Sequence, residues 1–383
     1  MDYFELHKTY KCNSLFGRYI TLNAIEPIIN KIIDKDCIKA VGSSVLEKPI
    51  YKLVLGSGKI KILMWSQMHG NESTTTKALL DFLNFLQNDK ELGFLFLKKF
   101  TFCILPMINP DGAELYTREN YNKVDLNRDS MALTQPESRV LQDVFYEFKP
   151  DFCYNLHDQR SIFGVGSPAK SATVSFLAPS FNEAREINDV RIKAINVIVE
   201  MNHELQKYIP NQVGRFDDSF NINCIGDKLT SLNVPTILFE AGHFQDDYYR
   251  EYSRKMIFIA LIAGLMNGYE NDIVSNKTDF YLQIPQNNIV FYDFIYKNVK
   301  INYDSTEIIT NFAAQYKEEF IDGQFQLNAY IVEVGDLKGR QGHFQFNAHK
   351  MKYTDGENDF PNLNQNANFV LGNDNFFVNG LKK

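Results

Sequence analysis

Residues 59–88 read KIKILMWSQMHGNESTTTKALLDFLNFLQN, and they carry the clearest indication of the fold class. Its first part is rich in apolar and β-branched residues and predicts a strand, which leads directly into the polar segment MHGNES. From Ser73 to Asn88 the apolar residues recur at helical spacing. A strand that leads through a short turn into a helix is the repeating unit of an α/β sheet, so an α/β fold is the first prediction.

The same alternation continues on both sides of this unit. Upstream, IKAVGSSV and PIYKLVLG predict two more strands. Downstream, three strands and three helices are predicted: strands over residues 100–107, 151–156 and 235–239, and helices over residues 136–148, 183–206 and 248–266. Strands and helices that alternate in this way predict a three-layer α/β/α domain with a mixed, mostly parallel central sheet.

The texture of the sequence changes at about Asn271. Short aromatic and β-branched runs such as NNIVFYDFIY and FQLNAYIVEV replace the helical periodicity. We therefore predict a main α/β domain over residues 1–270 and a smaller β-rich domain over residues 271–383. The role of the second domain stays open between covering the site to restrict substrate length and serving in binding or dimerisation.

Composition excludes several classes of protein. Apolar residues make up 44% of the chain and charged residues 23%, with a net charge of -7 and no basic block, which argues against a nucleic-acid partner. Residues 256–266 form an apolar run about half as long as the roughly 20 residues that span a membrane. The five cysteines are odd in number and lack a CxxC pair, which argues against a disulfide framework. Residues 1–25 show no signal-peptide pattern, so a cytoplasmic location is predicted.

Two histidines and one glutamate suggest a metal site. His69 and Glu72 form an H-x-x-E pattern just after a predicted strand, and His157 ends another strand. Two histidines and a carboxylate are a common ligand set of catalytic zinc. H-x-x-E alone is a weak pattern, and a histidine beside a strand is more often a hydrogen-bonded structural residue. In favour of a site, His69, His157 and Glu240 are all predicted at strand ends, where α/β sheets bind ligands.

Five motifs occur in a fixed order, namely MHGNES, NPDG, RENYNKVDLNRD, NLHDQ and ILFEAG. With these motifs the chain resembles the zinc carboxypeptidase family of metallopeptidases, and more distantly the aspartoacylase and succinylglutamate desuccinylase group. The resemblance covers roughly residues 42–266. It implies the fold of that family and hydrolysis of an amide bond next to a free carboxylate.

The resemblance also implies roles for individual residues. One Zn²⁺ per chain is expected on His69, Glu72 and His157, with Glu240 as the general base that also protonates the leaving amine. The physical case agrees, because zinc lowers the pKa of bound water to about 7 while a carboxylate takes up the proton.

Three further residues are implied as substrate contacts: Arg118, which would polarise the scissile carbonyl, and Asn127 and Arg128, which would hold the terminal carboxylate. A guanidinium offers two parallel donors to a carboxylate, and an amide can add a third. Each of these arginines could instead be a solvated or salt-bridged surface residue.

The chain departs from the family pattern at two places. Many zinc carboxypeptidases have a Ser-Tyr pair after the last histidine ligand, whereas here Asp158 and Gln159 follow His157. The segment GRFDDSFNINCIGD before Glu240 has no tyrosine that could cover the substrate. Its charged residues favour an internal salt bridge or a solvated loop over a substrate pocket.

The predicted function is that of a zinc metallocarboxypeptidase that acts on peptides. One alternative is a deacylase of N-acyl amino acids, which would use the same zinc, base and carboxylate clamp. Another is a binding module that has lost catalysis, but such proteins usually lose a ligand or the base, and all four residues are present here. The expected partner is a peptide or N-acyl amino acid with a free carboxylate, without nucleic acid or membrane. Side-chain specificity and oligomeric state stay open.

Overall fold

The computed structural model describes residues 1–267, 275–303 and 305–383. Within them the chain forms two compact units, one of residues 1–159 and 172–287, the other of residues 160–171 and 288–383. The predicted boundary at residues 270 and 271 lies outside the described residues, and the division at that point stays a prediction.

The described helices are bounded as follows: α1 Tyr3–Tyr10, α2 Leu22–Ile32, α3 Thr74–Asn88, α4 Leu92–Lys99, α5 Pro110–Leu115, α6 Pro136–Phe148, α7 Asp189–Leu205, α8 Ile225–Ser231, α9 Glu251–Asn267 and α10 Thr278–Leu282. Two short 3₁₀ helices cover Lys35–Cys37 and Leu126–Arg128. None of the helices in this described part of the chain is long and apolar enough to cross a membrane.

The described strands are β1 Ile38–Ser43, β2 Pro49–Gly56, β3 Ile60–Ser66, β4 Phe100–Leu105, β5 Phe152–Asp158, β6 Phe163–Val165, β7 Lys170–Ser171, β8 Val174–Leu177, β9 Val213–Arg215, β10 Thr236–Ala241, β11 Asn288–Ile289, β12 Phe291–Tyr303, β13 Thr306–Ile321, β14 Gln324–Gly335, β15 Gln341–Asn347, β16 Tyr353–Thr354, β17 Phe369–Leu371, β18 Asn375–Val378 and β19 Leu381–Lys382.

The first unit is built on an eight-stranded sheet with the order β1-β2-β4-β3-β5-β10-β8-β9. The central strands β4, β3, β5 and β10 run parallel to one another, and β8 runs parallel to β9. Antiparallel pairs join β1 to β2, β2 to β4 and β10 to β8. The prediction of a mixed, mostly parallel sheet is confirmed.

Side chains alternate between the two faces of this sheet. On β3, Ile62 and Met64 belong to a large core cluster that includes apolar residues of α3, α7 and α9. Leu63 and Trp65 belong to a second cluster, which includes residues of α6 and α8. Because successive side chains of a strand point to opposite faces, helices cover the sheet on both sides. The predicted three-layer architecture is therefore confirmed.

Two long helices begin later than their periodicity predicts. The helices predicted over residues 183–206 and 248–266 begin six and three residues later, as α7 and α9. At α7 the side chain of Asn188 accepts a hydrogen bond from the backbone three residues further on. At α9 the carboxylate of Asp247 accepts three backbone N–H bonds. Polar side chains that cap a helix end fix its start more strongly than apolar spacing does.

The second unit contains three small sheets, with orders β11-β6-β7, β14-β13-β12-β15 and β16-β17-β18-β19. Its core is aromatic and includes Phe294, Tyr296, Phe312, Tyr353, Phe369 and Phe377. The β-rich texture predicted for this end of the chain is confirmed. The segment of residues 160–171 joins the same unit because β6 pairs with β11, which the local sequence did not predict.

Candidate active site

Parallel strands place the predicted site residues at one edge of the central sheet. β5 and β10 pair in parallel, and their register puts His157 opposite Glu240. β3 pairs with β5 on its other side, and His69 follows the end of β3. Glu72 lies in the turn between this strand end and α3. In open α/β sheets the carboxyl ends of the strands form the ligand site, and all four residues lie there.

Three of these side chains form a group that can hold a metal ion. The ligand atoms of His69, Glu72 and His157 all lie within 4.8 Å of one another. Nδ1 of His69 is 2.9 Å from Oε1 of Glu72, Nδ1 of His157 is 2.8 Å from Oε2 of Glu72, and the two Nδ1 atoms are 3.1 Å apart. A tetrahedral zinc ion with bonds of about 2.0–2.1 Å holds its ligand atoms roughly 3.3 Å apart. The donor atoms therefore fit such an ion.

The charges of this group favour a bound cation. Burial would raise the pKa of Glu72, but the two imidazoles outweigh it and hold the pKa of this carboxyl well below its usual range. Burial lowers the pKa of His157 in spite of the nearby Glu72 carboxylate. Burial also acts against protonation of His69, but Glu72 and Asp125 outweigh it and raise the pKa of this ring, so a bound cation would replace its proton. An ionised carboxylate beside a neutral imidazole is the protonation state that metal binding requires.

Asp125, which was not among the predicted site residues, orients the first histidine of the group. Its Oδ1 is 3.0 Å from Nε2 of His69, and its carboxylate also accepts bonds from Nε of Arg118 at 3.1 Å and from the Asn127 backbone at 2.8 Å. Burial opposes ionisation of Asp125, but His69 and Arg118 lower its pKa, so it acts only as an acceptor.

The consequence of this contact is a fixed tautomer. Because the Asp125 carboxylate can only accept, the neutral ring of His69 keeps its proton on Nε2, and the lone pair of Nδ1 is then available to a metal ion. The signal that the sequence offered was the place of Asp125 at the start of DLNR, where a carboxylate commonly accepts a backbone bond two residues on.

Glu240 has a buried carboxyl oxygen, Oε2, with no hydrogen-bond partner in the part of the chain that the structure describes. Burial raises the pKa of this carboxyl well above its usual range, and the Glu72 and Asp158 carboxylates add to the effect. A general base needs a pKa near the working pH and an open position for the proton. The raised pKa of Glu240 and its unpaired Oε2 are both changes in the direction that such a role requires.

Arg118 contacts the same group. Its Nη1 donates to Oε1 of Glu72 at 3.2 Å, and its Nη2 is 3.1 Å from Oδ2 of Asp125. About 41% of the Arg118 side chain is exposed, so the guanidinium is held at its inner edge and accessible at its outer one. The structure thus brings this predicted residue to the metal group.

Asn127 and Arg128 lie in the 3₁₀ helix that follows Asp125. The Asn127 side-chain oxygen accepts the backbone N–H of Ile225 at 3.0 Å, which leaves its amide nitrogen as a donor for other groups. Arg128 is exposed, and its Nη1 donates to the Asn127 carbonyl at 2.7 Å and contacts Sγ of Cys224 at 3.1 Å. The described contacts of Arg128 are with this neighbouring segment and do not reach the metal group.

Arg250 joins the two strands that carry His157 and Glu240, and the sequence gave no sign of it. The side chain is buried, and it donates from Nη1 to the Ala241 carbonyl and from Nη2 to the Gln159 carbonyl, both at 2.9 Å. These carbonyls follow Glu240 and His157 by one and two residues. Arg250 therefore holds the ends of β5 and β10 together beside the site.

Among the charged residues before Glu240, Asp218 forms internal salt bridges, which was one of the two predicted alternatives. Asp218 pairs with Arg191 at 2.9 Å and with Arg185 at 3.5 Å. Arg215 lies over the ring of Tyr281, 5.4 Å from its centre. These contacts hold the segment in place and give no reason to assign it a substrate.

Comparisons with known proteins agree with this geometry. Residues 36–159 match the family model described as zinc carboxypeptidase, and that range includes all three members of the metal group. Carboxypeptidase 2 of Trichophyton tonsurans is 27% identical over 119 residues, which are 31% of this chain and 21% of the fungal protein. Gamma-D-glutamyl-L-diamino acid endopeptidase 1 of Lysinibacillus sphaericus is 34% identical over 83 residues, 20% of this chain and 21% of that protein.

The chain thus spans about a fifth of the length of these curated relatives. Among solved structures, a metallo-carboxypeptidase from Burkholderia cenocepacia superposes with a TM-score of 0.51 and 16% identity, over 65% of this chain and 69% of the other. At this identity the likeness concerns the fold, and it confirms the fold class predicted from the sequence.

Proposed function

We propose that this chain, whose residues 36–159 match the zinc carboxypeptidase family model, is a zinc-dependent metallocarboxypeptidase that hydrolyses the C-terminal peptide bond of peptides. The observation that supports this most is the convergence of the donor atoms of His69, Glu72 and His157, with the unpaired carboxyl oxygen of Glu240 on the adjacent strand. A candidate metal site and a candidate proton acceptor would then lie side by side.

One zinc ion per chain would be held by His69, Glu72 and His157. These donors match the two histidines and one carboxylate of many catalytic zinc sites, which keep one position open. Bound here, zinc would lower the pKa of a water molecule to about 7 and polarise the scissile carbonyl. Asp125 would keep His69 in the tautomer that presents Nδ1.

Glu240 is the proposed general base. Its Oε2 takes a proton from the attacking water and then gives it to the nitrogen of the leaving amine, so the carboxylate ends the cycle as it began. A glutamate with an ordinary pKa near 4.3 would be a poor proton donor at neutral pH. Burial raises the pKa of Glu240, which suits both steps.

Arg118, Asn127 and Arg128 are the proposed substrate contacts. The exposed edge of the Arg118 guanidinium would donate to the carbonyl oxygen of the scissile bond, where negative charge develops. The amide nitrogen of Asn127 and the guanidinium of Arg128 would bind the terminal carboxylate. Such a clamp selects substrates that end in a free carboxylate.

The peptidase is preferred over the deacylase of N-acyl amino acids because both curated relatives described above are named as peptidases. The name of the bacterial relative refers to a diamino acid, so a peptide that contains a diamino acid should be among the substrates tested. The cytoplasmic location predicted from the sequence stays a prediction.

The experiment that tests the proposal combines metal analysis with turnover. The purified protein would be assayed for zinc content and for release of C-terminal residues from short peptides, with and without a chelator. One zinc per chain and chelator-sensitive release support the proposal. Activity confined to N-acyl amino acids would establish the deacylase instead, and absence of both zinc and turnover would overturn the catalytic site.

A further inference from the structure

We infer that Asp158 is a positioning residue that fixes the metal ligand Glu72, an inference that rests on the metal centre proposed above. Asp158 directly follows His157, at the place where the chain departs from the family pattern. Its side chain is 7% exposed, so the surrounding protein must satisfy its charge.

Asp158 contacts the metal-binding turn through both its backbone and its side chain. Its backbone N–H donates to Oε2 of Glu72 at 3.2 Å. Its carboxylate accepts the backbone N–H of Thr74 on Oδ2 at 2.8 Å and that of Thr75 on Oδ1 at 3.1 Å. One residue on β5 thus holds Glu72 and the two residues that begin α3.

These bonds replace a missing local cap. The first N–H groups of a helix have no partner inside the helix, and the residue before it usually supplies one. At α3 that residue is Ser73, whose side chain makes no such bond. Because Asp158 on another strand supplies the acceptors, the cap ties the start of α3 to the strand that carries His157. A carboxylate suits this role, since it offers one oxygen to each N–H and its charge is favourable at a helix N-terminus.

The tie determines where Glu72 presents its oxygens. Oε1 of Glu72 faces His69 and Arg118, while Oε2 faces His157 and the Asp158 backbone. Hydrogen bonds to a ligand carboxylate orient it and are typically worth 10–100-fold in metal affinity or activity. Without the cap, the turn that carries Glu72 would no longer be anchored to β5 and the three donor atoms would spread apart.

The test compares Asp158→Ala and Asp158→Ser with a matched control, Asp129→Ala. The Asp129 carboxylate is also buried and accepts two backbone N–H bonds, both at 2.9 Å, from Thr134 and Gln135, which directly precede α6. Two quantities are measured: the zinc dissociation constant by competition with a chelator, and the hydrogen exchange of the Thr74 and Thr75 amides in the metal-free protein.

We expect Asp158→Ala to raise the zinc dissociation constant roughly 10–100-fold and to speed exchange of both amides. Asp158→Ser keeps one acceptor and should recover part of the affinity, while Asp129→Ala lowers the melting temperature without changing zinc affinity. Unchanged affinity in Asp158→Ala, or an equal loss in Asp129→Ala, would overturn the inference. If the wild-type protein bound no zinc, the proposed metal centre would fail first, and this role of Asp158 with it. If Asp158→Ala does not fold, Asp158→Ser decides. A zinc dissociation constant above that of the wild type supports the inference, and an unchanged constant overturns it.

Discussion

Glu240→Gln should lower the catalytic rate and raise the stability of the metal-free protein at high pH, because the same carboxyl is the proposed base and is costly to ionise where it is buried. The substitution keeps the size of the side chain and removes its ability to carry a proton. Loss of a general base typically lowers the rate about 10²–10⁴-fold, which corresponds to roughly 2.7–5.4 kcal/mol in the activation barrier. Zinc content should stay at the wild-type level, because the metal group is formed by His69, Glu72 and His157.

The effect on stability follows from the raised pKa. Burial, and then the Glu72 and Asp158 carboxylates, make the folded protein hold the Glu240 proton more tightly than the unfolded chain does. This contribution is fully present below the unfolded pKa of about 4.3 and is lost as pH rises through the folded pKa. Each pH unit by which the pKa is raised corresponds to about 1.4 kcal/mol. Glutamine does not ionise, so the metal-free variant should be more stable than the metal-free wild type at pH 8, and the difference should vanish towards pH 4.

The assay is thermal unfolding of both metal-free proteins between pH 4 and pH 8, together with steady-state kinetics of the zinc-loaded forms. Glu137→Gln is the control, because Glu137 is a buried glutamate outside the site whose pKa burial also raises. It should leave turnover near the wild-type rate. Unchanged turnover in Glu240→Gln would refute the general-base role. A stability difference that does not depend on pH would refute the explanation from burial.

Three further predictions follow from contacts around the site and in the core. Asp125→Asn removes the charged acceptor that holds the first histidine ligand, so zinc affinity by chelator competition should fall about 10–100-fold, and an unchanged affinity would contradict that role. Arg128→Met should raise KM about 10–100-fold for peptides with a free terminal carboxylate. Cleavage of C-terminally amidated peptides, which is expected to be poor already, should stay unchanged. An equal effect on both kinds of peptide would argue against binding of the terminal carboxylate by Arg128. Arg254→Met leaves the fully buried Asp81 carboxylate without its paired cation, so the free energy of unfolding in urea should fall by about 3–5 kcal/mol, whereas Lys8→Met, at an exposed pair, should barely change it.

The fold of the main unit could be predicted because its elements are long and regular. β3 is a run of apolar and β-branched residues, α3 carries a helical pattern over many residues, and both were predicted to within two residues at each end. What could not be predicted depends on distant pairing. Residues 160–171 join the second unit because β6 pairs with β11 more than a hundred residues later, and no local signal records that pairing.

The candidate site also contains residues that could be predicted from local motifs and residues that could not. The metal group was predictable because His69, Glu72 and His157 belong to motifs whose residue types are unusual at the ends of apolar strands. Asp125 and Asp158 were not, although both lie inside quoted motifs. Their partners are 56 and 84 residues away, so an aspartate in a polar stretch gave no sign of which group it would meet.

The register between β5 and β10 depends both on local apolar residues, which the sequence shows, and on a contact between distant residues, which it does not. Ile237 and Phe239 pack in the core cluster on one face of the sheet, and a slip by one residue would turn them to the opposite face and move Glu240 away from His157. In the observed register Arg250 also donates to both the Ala241 and the Gln159 carbonyls. Core packing therefore selects the alignment of the two strands to within a residue, and a buried arginine secures it at the edge where chemistry is proposed. The apolar pattern of the strands could be predicted from the sequence, but the bonds of the buried arginine could not. The sequence therefore predicts which strands carry the site residues, and the structure is needed to show how those strands are held together.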